Sequence, residues 1–189
     1  MIDHVGEPAE KWFHALRLPG GEVTPGRFPP HRPPSYTLYG EFAFLARLDL
    51  RRAGCLDIGT MDGLGAFAMP EAGAARVRAT DIAPRPTFER ARAALAPRVE
   101  YETPVSISDM GAVVTPAWDL IACCGVLHHV FDPLTVLATL HRNLREGGLL
   151  LLETQYLPVE SRGTCPSRRR SGMRERCRPT LSSAPVVRR

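Results

Sequence analysis

Between residues 53 and 156, short apolar runs alternate with stretches whose apolar positions recur at helical spacing. Apolar runs bounded by glycine or charge read as buried strands, and the stretches between them as amphipathic helices. Strands are predicted at residues 54–59 (GCLDIG), 76–81 (RVRATD), 98–102, 118–124 (WDLIACC) and 149–154 (LLLLET). Helices are predicted at 63–72, from Pro86 to about residue 96, and from Pro133 onward. Leu134, Leu137, Leu140 and Leu144 would share one face of the last, before Gly147 and Gly148 stop it. A further helix over about 35–50 carries Leu38, Phe42, Leu45 and Leu48. Strands joined by helical crossovers imply an α/β fold, a Rossmann-like doubly wound parallel sheet with helices on both faces. The pattern stops near Tyr156, so the fold is expected to be incomplete after the fifth strand. Three regions follow: an N-terminal lid or helical extension (1–50), a Rossmann-like core (51–157), and a basic tail (158–189) expected to be disordered.

Composition narrows the class. With 44% hydrophobic and 23% charged positions in 189 residues, a wholly disordered chain is excluded. No uninterrupted apolar run is long enough for a membrane span, and the polar, acidic start is unlike a secretory signal. The five cysteines (Cys55, Cys123, Cys124, Cys165, Cys177) have neither framework nor zinc-type spacing. No metal is expected, and a cytoplasmic location is. The net charge of +4 is unevenly placed: residues 162–189 carry nine arginines and one acid, leaving −4 for residues 1–161. The basic character thus belongs to the tail and is weak grounds for an RNA partner.

The candidate chemistry sits at strand ends, where doubly wound sheets bind ligands. The first strand runs into Asp57-Ile58-Gly59-Thr60-Met61-Asp62-Gly63, and the second ends in Asp81. Gly59 and Gly63 allow a tight turn and close backbone approach. Asp57 can accept from an ammonium or from loop amides, and Asp81 can accept from ribose hydroxyls. A dinucleotide is the natural competitor, but Met61 replaces its middle glycine, and Asp57 and Asp62 would repel a pyrophosphate. An acidic loop suits a ligand bearing sulfonium and ammonium charges, which points to S-adenosylmethionine.

The same residues carry a resemblance. The Asp57–Gly63 run, Asp81, Asp119, Gly125-Val126-Leu127-His128-His129-Val130 and Leu144-Arg145-Glu146-Gly147-Gly148-Leu149 resemble a class I S-adenosylmethionine-dependent methyltransferase. Trp12-Phe13-His14, Gly20-Gly21 and Thr24-Pro25-Gly26 resemble the group related to the tRNA wobble-uridine methoxy and carboxymethoxy methyltransferases. The resemblance covers about residues 11–156. It implies that Asp57, Gly59, Thr60 and Gly63 bind the methionine end of the cofactor and that Asp81 holds the ribose. Asp109 and Met110 would flank the adenine, with Cys124 and Gly125 bordering the pocket. The basic residues that a carboxylated cofactor needs are not found, so ordinary S-adenosylmethionine is expected.

Methyl transfer depends mainly on alignment, and a hydroxyl acceptor also needs a proton acceptor. His129 is the expected catalytic base; a structural strand-end histidine is the competing reading. His4, His14, His31 and His141 read as surface or packing residues. Trp12, Phe13 and Thr24-Pro25-Gly26 form either a lid or a packed turn. The methyl acceptor is a small molecule or a tRNA. Two other functions stay open: a truncated or degenerate relative that binds nucleoside without catalysis, and an RNA-binding module using the Arg-rich tail. The tail itself reads either as such an arm or as a shifted reading frame in a GC-rich genome, which the 23 arginines against one lysine favour.

Overall fold

The computed structural model describes residues 11–27, 36–108, 118–155 and 186–188. The elements are α1 (Tyr36–Leu45), β1 (Gly54–Ile58), α2 (Leu64–Glu71), β2 (Arg76–Thr80), α3 (Pro86–Leu95), β3 (Glu100–Glu102), β4 (Trp118–Cys124), α4 (Pro133–Asn143), β5 (Leu144–Glu153) and β6 (Val186–Arg188). The sheet order is β3-β2-β1-β4-β5-β6. The first five strands are parallel, and β6 pairs antiparallel with β5. The chain winds outward from β1 in one direction through β2 and β3, then returns to the other side of β1 with β4. The order reverses between β1 and β4, and the carboxyl ends of these two neighbours flank the crevice where such sheets hold ligands.

The central strands β1, β4 and β5 feed two cores because successive side chains face opposite sides of the sheet. Leu120 and Ala122 pack with Trp12, Leu45, Phe67 and Phe88 on one face. Ile121 and Cys123 pack with Leu56, Trp118, Val136 and Leu140 on the other. Phe88, fully buried, lies between Phe67 and Tyr101, at ring-centroid distances of 5.2 and 4.0 Å. Pro86 opens α3 and Pro133 opens α4, where a missing N–H costs no helix bond. Asp132 caps α4 by accepting from the Thr135 amide and hydroxyl.

Three expectations change. Leu134 is exposed, and α4 buries Val136, Thr139 and Leu140, because its packing stripe is rotated around the helix axis from the leucine row and shares only Leu140 with it. The Gly147-Gly148 stop lies inside β5: Leu144 pairs with Trp118 and Leu149 with Leu120, so β5 carries extra residues between these two pairs. The fifth strand is not the sheet edge, since β6 occupies its open side, where unpaired backbone groups invite another strand. The rest of the tail, with Cys165 and Cys177, lies outside the described residues, as do His4, His31, Asp109 and Met110. Among the described residues, no helix is long and apolar enough to cross a membrane.

Candidate active site

A cavity of about 680 Å³ opens at the carboxyl ends of β1 and β4, within the size range of small-molecule sites. Of the sequence-derived candidates, Asp57, Gly59, Thr60, Asp81, Cys124 and His129 line it. Gly63 does not. Its left-handed backbone (φ 91°) starts α2, and a Cβ there would lie 2.4 Å from the Phe67 ring. It therefore shapes the loop and lets the helix pack close, without bordering the cavity.

The loop after β1 is held from both sides. Asp57 is buried, and its Oδ2 accepts from the Thr60 hydroxyl at 2.7 Å. Burial pushes its carboxyl up to about 6, against the lowering effect of the Thr60 and Ala66 hydrogen bonds. Asp81, also buried, accepts from the Met61 amide at 3.1 Å and from Arg85 Nε at 3.3 Å. The β2 carboxylate thus braces the loop as well as facing the cavity. Met61 adopts a left-handed φ of 52°, a conformation that costs a side-chain-bearing residue roughly 1–2 kcal/mol. The Asp81 contact helps to hold it there.

Asp62 does something other than expected. It is fully buried and does not line the cavity. Its Oδ2 accepts from the amides of Phe13 and His14, and its Oδ1 from the Thr87 hydroxyl. This side chain fastens the N-terminal segment to the loop and to α3, so its charge is engaged in structure and not presented to a ligand. Thr24 completes the fastening: its hydroxyl accepts from the Leu16 amide and donates to the His14 carbonyl. Trp12 is buried in the core, whereas Phe13 and His14 line the cavity. The N-terminal segment is therefore part packed turn and part cavity wall.

Among the lining residues with no sequence signal for this role are His14, Glu41, Arg85 and Phe131. His14 is buried, its pKa lowered to about 4 by burial, so the ring is neutral at neutral pH. Its Nδ1 has no hydrogen-bond partner. Glu41, on α1, is pushed up to about 8 by burial and by the nearby Asp57 and Glu153 charges. Phe131 is fully exposed at the cavity mouth, beside the largely exposed Ile82. His129 is exposed, and its ring lies against that of His128, centroids 4.0 Å apart and planes tilted by 44°. His128 is outside the lining. His141 is exposed on α4. Asp119 is at the opposite end of the sheet, accepting from the Gly54 amide and Arg145. Among the described residues, no group of His, Cys, Asp and Glu side chains could hold a metal ion.

A cavity at the reversal point of a doubly wound sheet, bordered by acids after β1 and β2, defines a nucleoside-binding α/β domain. Residues 56–150 match the family described as a methyltransferase domain, and the chain belongs to that family. Over 110 residues it is 36% identical to the ubiquinone biosynthesis O-methyltransferase of Xanthomonas oryzae pv. oryzae, covering 58% of this chain and 46% of that protein. The counterpart from Xanthomonas campestris pv. campestris is 34% identical over the same length and coverage. The chain spans about half the length of the curated relatives it matches.

Two solved structures have the same fold. One is a Listeria monocytogenes protein assigned as an S-adenosylmethionine-dependent methyltransferase, with TM-score 0.52 and 25% identity, covering 60% of this chain and 54% of that one. The other is the 1,6-didemethyltoxoflavin N1-methyltransferase of Burkholderia thailandensis, bound to 1,6-didemethyltoxoflavin and S-adenosylhomocysteine. Its TM-score is 0.51 at 24% identity, covering 62% of this chain and 52% of that one. The fold is thus that of the class I S-adenosylmethionine-dependent methyltransferases. The donor set fits that cofactor: Glu41 and Asp57 both present carboxyl groups to the cavity, as a sulfonium- and ammonium-bearing ligand requires.

Proposed function

We propose that this chain forms the cofactor-binding part of an S-adenosylmethionine-dependent methyltransferase that acts on an oxygen of an acceptor with an apolar or aromatic face. The observation that carries this reading is the cavity after β1 and β4, with Asp57 and Asp81 at two points of its wall. When bound, the cofactor supplies an electrophilic methyl group on sulfur. Asp57, Gly59 and Thr60 would hold its methionine end and Asp81 its ribose. Gly125, beside Cys124, would let it lie close to the end of β4. Phe13, His14 and α1 would cover the cavity and reduce its water content, the lid role read for the N-terminal region.

The oxygen preference draws on the named activity of the Xanthomonas relatives. The apolar preference draws on Phe131 and Ile82, exposed large apolar side chains that both border the cavity and would be removed from water by a bound acceptor. His129, at the same mouth, is suited to take the proton of an acceptor hydroxyl as the new C–O bond forms. A second reading, a tRNA wobble-uridine hydroxyl as acceptor, rests on the Trp12-Phe13-His14 to Gly26 motif and the arginines after residue 161.

Isothermal titration with S-adenosylmethionine and S-adenosylhomocysteine tests the cofactor reading. Binding that falls at least tenfold in Asp81→Ala supports it. Absence of binding by folded protein overturns it. With labelled cofactor, methylation of a phenolic acceptor that is reduced 10²-fold or more in His129→Ala would support the oxygen reading. Labelling of unmodified tRNA alone would favour the second.

A further inference from the structure

Glu41 lies outside the matched family region, on a helix that precedes the sheet, yet it reaches the same cavity wall as Asp57. The two carboxyl groups converge on one point. A Cβ added to Gly65 would sit 3.2 Å from Glu41 Oε1 and 3.4 and 3.5 Å from the two Asp57 oxygens. A side chain at residue 65 would press on Glu41 and touch both Asp57 oxygens, so the two carboxyl groups border the same space.

The groups facing Glu41 are Asp57 on β1, the Cys123 and Cys124 thiols on β4, and Glu153 on β5. None is a cation. Among the described residues that line the cavity, the one arginine, Arg85, is paired with Asp81, and the two histidines are on the N-terminal segment and after β4. Burial and mutual repulsion therefore act on Glu41 with no positive charge among the described residues to offset them. A group in that position favours its protonated form until a cation arrives.

We propose that Glu41 and Asp57 together form a two-carboxylate socket for the ammonium group of the bound cofactor, and that filling the socket ionises Glu41 and releases a proton. This rests on the S-adenosylmethionine reading above. The proton leaves the Glu41 carboxyl for solvent, and the resulting carboxylate accepts hydrogen bonds from the ammonium. Cofactor affinity accordingly rises with pH until Glu41 is already ionised in the free protein. Burial and the Asp57 charge put that point near pH 8.

The test uses the full chain and three probes: S-adenosylmethionine, S-adenosylhomocysteine, which keeps the ammonium but has a neutral sulfur, and methylthioadenosine, which has neither. Titrations at pH 7 in phosphate and in Tris measure proton release through the difference in heat. The expected result is release of most of one proton on binding either amino-acid-bearing probe and none with methylthioadenosine. In Glu41→Gln, the release disappears and both amino-acid-bearing probes bind roughly tenfold to a hundredfold more weakly. Methylthioadenosine binding is unchanged.

Equal affinity and equal proton release in the variant would overturn the socket while leaving the cofactor reading intact. Weakening of S-adenosylmethionine alone would overturn the assignment to the ammonium. Failure of the unaltered chain to bind any of the three would overturn both readings. If Glu41→Gln does not fold, the unaltered chain still tests the proposal, because equal heats in the two buffers would show that no proton is released and overturn it.

Discussion

The two ends of the sheet treat their acids differently. At the amino end and the β3 edge, Glu100, Glu102 and Asp119 have basic or amide partners. Glu100 accepts from Arg76 and Arg78, and Glu102 pairs with Arg78. Asp119 accepts from the Gly54 amide and Arg145. At the carboxyl end, Glu41, Asp57 and Glu153 are all pushed above their ordinary values by burial. Paired acids at an exposed edge contribute little to stability and bind nothing else. Buried acids with no cation beside them are costly in the free protein, and that cost is lowered when a cationic ligand binds. Asp62 marks the boundary between the two kinds: buried beside the cavity, yet fully engaged by amides and a hydroxyl.

Breaking Asp62 should have the largest effect. Asp62→Ala leaves the Phe13 and His14 amides and the Thr87 hydroxyl without their acceptor, for an expected loss of about 3 kcal/mol in urea unfolding. Asp57→Asn should do the reverse. Thermal melting of the free protein is expected to stay level or rise, while S-adenosylmethionine affinity falls roughly tenfold to a hundredfold by calorimetry. An equal loss of stability in both variants would remove the distinction between them.

A pH series sharpens the comparison further. Asp57 and Glu41 have folded values raised to about 6 and about 8, so the stability tied to their protonated forms is lost as pH rises through those values. His14, lowered from 6.5 to about 4, acts oppositely, adding stability as pH rises across that interval. Above pH 6.5 its contribution is complete. Between pH 6.5 and 8 the free protein should therefore lose about 1–2 kcal/mol, and Glu41→Gln should flatten the slope. Denaturant melts at four or five pH values check this. The smallest effect belongs to the paired end: Glu100→Ala should change stability by less than about 1 kcal/mol and leave nucleoside binding unaltered.

Much of the fold is legible in the chain because strand and helix periods differ. WDLIACC reads directly as β4, and the other parallel strands agree within a few residues. Asp57, Gly59 and Asp81 are also legible, since a strand end followed by a glycine turn places its neighbours locally. Leu134 was misassigned because helical spacing defines a stripe without saying which flank of it meets the sheet. Asp62 was read as part of the ligand field because a sequence shows a charge but not its hydrogen-bond partners. Glu41 carries no signal of its own, and the Trp12-Phe13-His14 motif does not say that His14 faces the cavity, because both are separated from the β1 loop by turns and linking chain.

What the sequence by itself determined is the order of strands and helices, the reversal-type architecture and the loop that follows β1, all consequences of local periodicity and turn chemistry. Only the tertiary structure decided which acids are satisfied and which are not. That depends on α1 and the N-terminal segment folding back over the sheet, where burial removes water and leaves each carboxylate to whichever donors the packing brings within reach.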